Sequence, residues 1–362
     1  MYKQHQIRQW LCWFYPMFNG RQPHLGLLCA ASTFLVLAAP TMINLPASKL
    51  LAQTPVSQDL EAASFYQQGV TRYNRNDLQG AESAFRRALQ RDPTIGMARN
   101  YLGNILLMQN RLDLAVQEYG EALRINPNLG ETYYNLGLAL HRQGQKEAAI
   151  TAYRQALVID PTRSAAQYNL GLALHDLGQS QEAIAAYEQA INLDQNNADA
   201  HFNLAIALQS QGEIEPAIAA YRQAVQLNPQ NAKAYNNMGS LRAIQGQNTE
   251  AIAVYRQAIR KNPQDAATYY NLGVTLYNQG DLPRANAVLK RAHQIYQEQE
   301  NQEEAQKIDQ LMQQIAQVIE QQRQAAQTAT SAEKASITGD VVIPDVTSGD
   351  VPVSLEKQPM MK

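Results

Sequence analysis

The chain has 362 residues, 17% of them charged and 45% hydrophobic, with a formal net charge of −2. Residues 1–52 hold four basic and no acidic side chains, which leaves 26 basic against 32 acidic residues, a net of −6, in the remainder; such a balance argues against nucleic acid as a partner. Both cysteines, Cys12 and Cys29, lie in that leader, so the rest of the chain has neither a disulfide framework nor a thiol nucleophile.

The leader reads as a targeting segment. Lys3, Arg8 and Arg21 precede an uncharged, largely apolar run over residues 25–47. This is the order of a secretory signal peptide or an N-terminal membrane anchor. The densest apolar part, residues 25–39, is stopped by Pro40, which suits a signal peptide cleaved after Ala52. The full run of 23 residues is long enough to span a bilayer, with Trp10, Trp13, Phe14 and Tyr15 at its cytoplasmic interface, and suits an uncleaved anchor. Both alternatives put the remainder of the chain on the non-cytoplasmic side of a membrane, periplasmic or exported, because the positive flank stays inside. Leu28 before Cys29 is not the small residue that a lipoprotein signal needs. Residues 53–61 are read as a linker.

Residues 62–299 divide without a gap into seven blocks of 34: 62–95, 96–129, 130–163, 164–197, 198–231, 232–265 and 266–299. Position 8 of the block is Gly69, Gly103, Gly137, Gly171, Ala205, Gly239 and Gly273. Positions 20 and 27 are alanine throughout, from Ala81 and Ala88 to Ala285 and Ala292. Position 24 is a large ring, Phe85, Tyr119, Tyr153, Tyr187, Tyr221 or Tyr255, and then Leu289. Position 32 is Pro93, Pro127, Pro161, Pro229 or Pro263, which ends a helix; Gln195 and Gln297 break that column.

These columns resemble the tetratricopeptide repeat family, a helix-turn-helix unit with small residues at 8, 20 and 27 and proline at 32. The family's tryptophan at position 4 is absent, replaced by Phe65, Tyr133, Tyr235 and Tyr269 or by polar residues such as Arg99, Gln167 and His201. The resemblance implies an all-α, right-handed solenoid that binds protein partners. The residues themselves agree with that fold. In the third block Tyr133, Leu136, Gly137 and Leu140 fall on one helical stripe. Position 15 is Asn76, Asn110, Gly144, Gly178, Gly212, Gly246 and Gly280, the residue types that accept the left-handed conformation closing a helix. One block buries only a handful of side chains at about 1.5–3 kcal/mol each, too little to order 34 residues, so the blocks must stack.

The face of the first helix opposite the packing stripe, at positions 2, 5, 6, 9, 12 and 13, is expected to line a concave groove. Position 6 is Asn135, Asn169, Asn203, Asn237 and Asn271 in five consecutive blocks, beside Tyr134, Tyr168, Phe202 and Tyr270 at position 5. An amide side chain offers both a donor and an acceptor, as a peptide bond requires. Such a ladder resembles the one in the repeat superhelix of O-linked N-acetylglucosamine transferase, but the residues after Gln299 are too few for that enzyme's catalytic domain. A hydrogen-bonding role within the solenoid is the alternative for the same column. A carboxylate clamp of the chaperone-binding type is not expected, because positions 2, 5 and 6 hold Lys233 and no arginine.

Beyond the repeats, Ile308, Leu311, Met312, Ile315, Val318 and Ile319 form a helical stripe in a segment, 300–327, read as a capping helix or, alternatively, a dimerisation helix. Residues 328–362 have no periodicity and are read as a disordered tail. No phosphate loop or zinc spacing is present. His141 and His175, with Asp176, form the one metal-like constellation, and two histidines without a placed third ligand read as solvated surface. No enzyme activity, cofactor or metal is expected. The sequence therefore points to an exported or membrane-anchored interaction scaffold holding an extended polypeptide; the alternatives are a targeting subunit for a separately encoded envelope enzyme, such as a glycosyltransferase, or an assembly factor at a membrane.

Overall fold

The structure, a computed structural model, describes residues 57–337, with side chains as far as Ser331. The leader, most of the linker and the last 25 residues of the expected tail lie outside the described residues. Within them the chain folds into fifteen helices and no strand. Seven antiparallel pairs come first: α1 (Leu60–Asn74) with α2 (Leu78–Arg91), α3 (Gly96–Met108) with α4 (Leu112–Ile125), α5 (Gly130–Arg142) with α6 (Lys146–Ile159), and α7 (Ser164–Asp176) with α8 (Ser180–Leu193). They continue as α9 (Ala198–Ser210) with α10 (Ile214–Leu227), α11 (Ala232–Ile244) with α12 (Asn248–Lys261), and α13 (Ala266–Asn278) with α14 (Leu282–Glu298). A long α15 (Gln302–Ile337) comes last.

Glycine serves two different purposes in each pair. At position 15 it supplies the backbone: Gly144 has φ +78, and a Cβ there would meet nothing. Its N–H donates to His141 O and that of Gln145 to Leu140 O, which closes α5. Asn76 and Asn110 do the same at φ 61 and 58. At position 8 glycine supplies room: a Cβ on Gly137 would lie 2.5 Å from the ring of Tyr153. The fifth pair carries Ala205 against Tyr221 and still buries both completely, so one methyl is accommodated.

The alanine and aromatic columns form the core. Every alanine at positions 20 and 27 is buried, as are Phe85, Tyr119, Tyr153, Tyr187, Tyr221, Tyr255 and Leu289. The proline column explains where most second helices stop. Gln195 changes nothing, since Asp194 still turns the chain by accepting from the Asn196 N–H. Gln297 does matter, because without proline α14 runs for 17 residues instead of 14. It then closes through Glu300 at φ 59, with the Asn301 N–H donating to Tyr296 O.

The outer face of α1 exposes Ser64, Gln67, Gln68 and Thr71, with Leu60 exposed beside them in its first turn. At the other end Ala305, Ile308, Leu311 and Ile315 of α15 are buried against the last pair. The helix extends to residue 337, ten residues into the segment assigned to the tail. The apolar stripe ends at Ile319, whereas Ala325, Ala326 and Ala329 keep helix propensity high beyond it.

Candidate functional site: the concave face

Successive first helices touch directly: α1 with α3, α3 with α5, α5 with α7, α7 with α9 and α11 with α13. No two second helices approach as closely. The first helices are therefore on the inside of the curve, and their free faces line its groove. Glu131, Arg142, Asp176, Asp199 and Lys233 stand exposed along it with no dominant sign.

The asparagine column does not point freely into this groove. Asn169 donates from Nδ2 to Ala165 O at 2.8 Å and to the Tyr134 hydroxyl at 3.3 Å. Asn203 repeats the arrangement one block later, donating to Asp199 O at 2.9 Å and to the Tyr168 hydroxyl at 3.0 Å. Asn135 donates to Asn104 Oδ1 at 3.0 Å, and Asn237 to the Tyr221 hydroxyl at 3.0 Å. All four remain partly exposed. Asn271 is fully buried, donating to Asn236 Oδ1 at 3.2 Å and Ser240 Oγ at 3.4 Å. It therefore lies in the wall of the last junction and presents nothing to the groove.

The aromatic column divides similarly. Tyr134, Tyr168 and Phe202 are half-buried, each tilted against the position-24 ring of its own pair at centroid distances of 6.1, 6.1 and 5.8 Å. Tyr270 is buried, with Glu304 of α15 close to its hydroxyl. Burial pushes the phenols of Tyr134 and Tyr168 above their usual pKa; the Arg163 guanidinium, 5.2 Å from the Tyr134 ring centroid, opposes this in part. Both hydroxyls therefore keep their protons at neutral pH.

Sequence reasoning placed the asparagines and tyrosines in separate columns, and the structure joins them across repeat junctions. The spacing of 35 from Tyr134 to Asn169 and from Tyr168 to Asn203 carries that signal. Asn104, at position 9, and Asn236, at position 5, were missed because each departs from its own column. His141 Nε2 lies 3.0 Å from Asp176 Oδ2, an inter-repeat pair, and among the described residues no group of three or more metal-ligating side chains is found. A cavity of about 250 Å³ opens on the outer side, lined by Arg154, Leu170, Leu174, Glu182 and Gln189. Arg154 and Glu182 close an ion pair at 2.6 Å across it.

The "TPR repeat" family profile matches residues 103–144, 139–178, 173–212, 207–243 and 239–280, and a "Tetratricopeptide repeat" profile matches residues 266–306. The chain belongs to the tetratricopeptide repeat family. Its first block precedes these matches and shares the same helical geometry. No curated protein matches the chain. Among solved structures it is similar to MamA at 30% identity, over 46% of this chain and 96% of that one, with a TM-score of 0.44. It is similar to YrrB, described as a TPR protein with an unusual peptide-binding site, at 24% identity over 52% of this chain and 97% of that one, TM-score 0.46. The C-terminal part of a TPR repeat-containing protein from Cytophaga hutchinsonii matches at 18% identity over 64% of this chain and 95% of that one; its TM-score of 0.55 speaks to the fold.

Proposed function

We propose that this protein is a non-enzymatic scaffold that holds an extended segment of another protein along its concave face, on the non-cytoplasmic side of a membrane to which its leader directs or anchors it. Family membership supports a protein partner in general. The observation that carries the finer reading is the row of partly exposed asparagines on α5, α7, α9 and α11, with Tyr134 and Tyr168 beside the first two. Polar groups regularly spaced along a concave wall suit a regularly spaced polar ligand, and the polypeptide main chain is one. Affinity from a few such contacts is modest, at about 0.5–1.5 kcal/mol net per hydrogen bond. The remainder is supplied by side chains of the partner settling beside Leu138, Leu172 and Ile206, which are partly buried at position 9.

The test is selection of a random dodecapeptide library on the full chain, followed by amide exchange with the tightest peptide bound. Protection concentrated on α5, α7 and α9 supports the proposal. Failure to enrich any peptide, or protection confined to α6, α8 and α10, overturns it. The leader is tested separately by fusing a reporter that works only outside the cytoplasm after Gln53; a silent reporter sinks the export claim.

A further inference from the structure

Asn169 and Asn203 have no freedom in how their amides are turned. Each places Nδ2 against a helical carbonyl, Ala165 O at 2.8 Å or Asp199 O at 2.9 Å, and a carbonyl only accepts, so the –NH2 end must face it. The second N–H of each goes to a tyrosine hydroxyl of the preceding repeat. Both donors of both amides are therefore spent. The oxygens are not: neither Oδ1 has a partner among the described residues. Among the described residues the buried side-chain atoms without a hydrogen bond are Tyr153 Oη, Arg163 Nε, Asn278 Oδ1 and Glu304 Oε2; the two asparagine oxygens are not among them and so reach solvent.

The tyrosines are in the converse state. Tyr134 and Tyr168 accept at the hydroxyl oxygen, and no acceptor among the described residues takes their own protons. Each junction thus shows the groove one donor, the tyrosine O–H, beside one acceptor, the asparagine Oδ1. The C=O and N–H of one trans peptide unit point opposite ways, but one residue of an extended chain can present its own N–H and its own C=O to the same side. The pattern stops on both sides. Phe202 has no hydroxyl, and Asn237 turns instead to Tyr221, whose proton goes on to Gln209 Oε1 at 3.0 Å. Asn135 meets Asn104, which is already satisfied by the Tyr119 hydroxyl at 2.8 Å.

We propose that Tyr134–Asn169 and Tyr168–Asn203 are two adjacent rungs that read the partner's main chain, each tyrosine donating to a C=O and each asparagine oxygen accepting from an N–H. Packed helices lie about 8–10 Å apart. A polyproline II helix advances about 9.3 Å in its three-residue turn and leaves every N–H and C=O free, whereas the two faces of a β-strand repeat at about 6.7 Å. The occupant is therefore a segment in the polyproline II conformation that places every third residue, with its own N–H and C=O, on a rung. This deepens the groove reading above and rests on it.

The experiment uses the tightest library-selected dodecapeptide, resynthesised with each backbone amide replaced in turn by an ester, which removes one N–H. Binding to the full chain is expected to weaken about two- to tenfold at two positions three residues apart. These penalties are expected to vanish in Asn169→Ala/Asn203→Ala, where the acceptors are gone. Tyr134→Phe/Tyr168→Phe is expected to weaken the unmodified peptide while keeping its thermal transition close to wild type, since Phe202 shows that the ring alone fits. A groove-bound peptide with a flat ester scan, or with penalties that persist in the asparagine variant, overturns the rungs and leaves groove binding standing. Sensitive positions two or four apart overturn the polyproline II geometry. Selection that yields no groove-bound peptide overturns both readings.

Discussion

Replacing Asn271 should cost far more stability than replacing Asn169 or Asn203, although sequence alone puts all three in one column. Asn271 is completely buried, and its Nδ2 donates to Asn236 Oδ1, itself only 6% exposed. Asn271→Ala strands that oxygen in a dry junction, at about 1–3 kcal/mol for an unmet buried acceptor. The vacated amide volume adds to this, so the total is expected at about 2–4 kcal/mol. In Asn169→Ala the partners are Ala165 O, which also accepts within its helix, and the Tyr134 hydroxyl on the open groove wall. Water replaces the lost donors there, and alanine is the better helix former, so the net cost is expected below about 1 kcal/mol. The same holds for Asn203→Ala. Urea unfolding followed by helical circular dichroism measures all three, compared by midpoint because repeat arrays need not unfold in two states. Equal losses would mean that Asn169 and Asn203 are internal fasteners like Asn271, and the division of the column would be wrong.

Ala183 is fully buried between its helices, so Ala183→Leu should overpack the fourth repeat and cost about 1–3 kcal/mol in urea; an unchanged midpoint contradicts the core assignment. Gly171→Val should be similarly harmful, because even a Cβ there comes within 2.7 Å of the Tyr187 ring, whereas Gly171→Ala should cost less, since Ala205 against Tyr221 shows that a small shift takes up one methyl. Ile308→Ala in the buried start of α15 should destabilise the last repeat by about 2–5 kcal/mol, seen as early loss of a C-terminal unfolding unit. Burial raises the phenols of Tyr221 and Tyr255 from the ordinary 10.0 to about 12. The unfolded chain then gives up those protons first, so stability holds below pH 10 and falls as pH rises from 10 towards 12; rising or flat stability across that window contradicts it.

The fold was legible in the sequence because each column carries a single physical demand. Gly137 makes room for a ring, Gly144 bends the chain backwards, and Ala149 and Ala156 let two helices meet; none of these depends on a distant residue. The groove was legible in part. Periodicity put Asn135, Asn169, Asn203, Asn237 and Asn271 on one face, but it could not say which end of each amide is spent. That depends on what stands 35 residues earlier: Tyr134 and Tyr168 for two of them, Phe202 for Asn237, and Asn236 for Asn271. The burial of Tyr270 and Asn271 comes with the end of the stack, where α15 covers the last pair. α14 outruns the other second helices for lack of a proline at Gln297, and α15 outruns its expected limit on the helix propensity of its alanines.

The central claim is that the concave face holds the partner, and site-specific photocrosslinking of the full chain in intact cells tests it most directly. A photoreactive residue is placed at 199, exposed in the groove beside the Tyr168–Asn203 pair, or at 189, exposed on the outer side. Discrete protein adducts from position 199 that are lost when Asn169 and Asn203 are changed to alanine, with none from position 189, are the expected result. Adducts from position 189 alone, or adducts from 199 that are indifferent to both asparagines, would contradict the account.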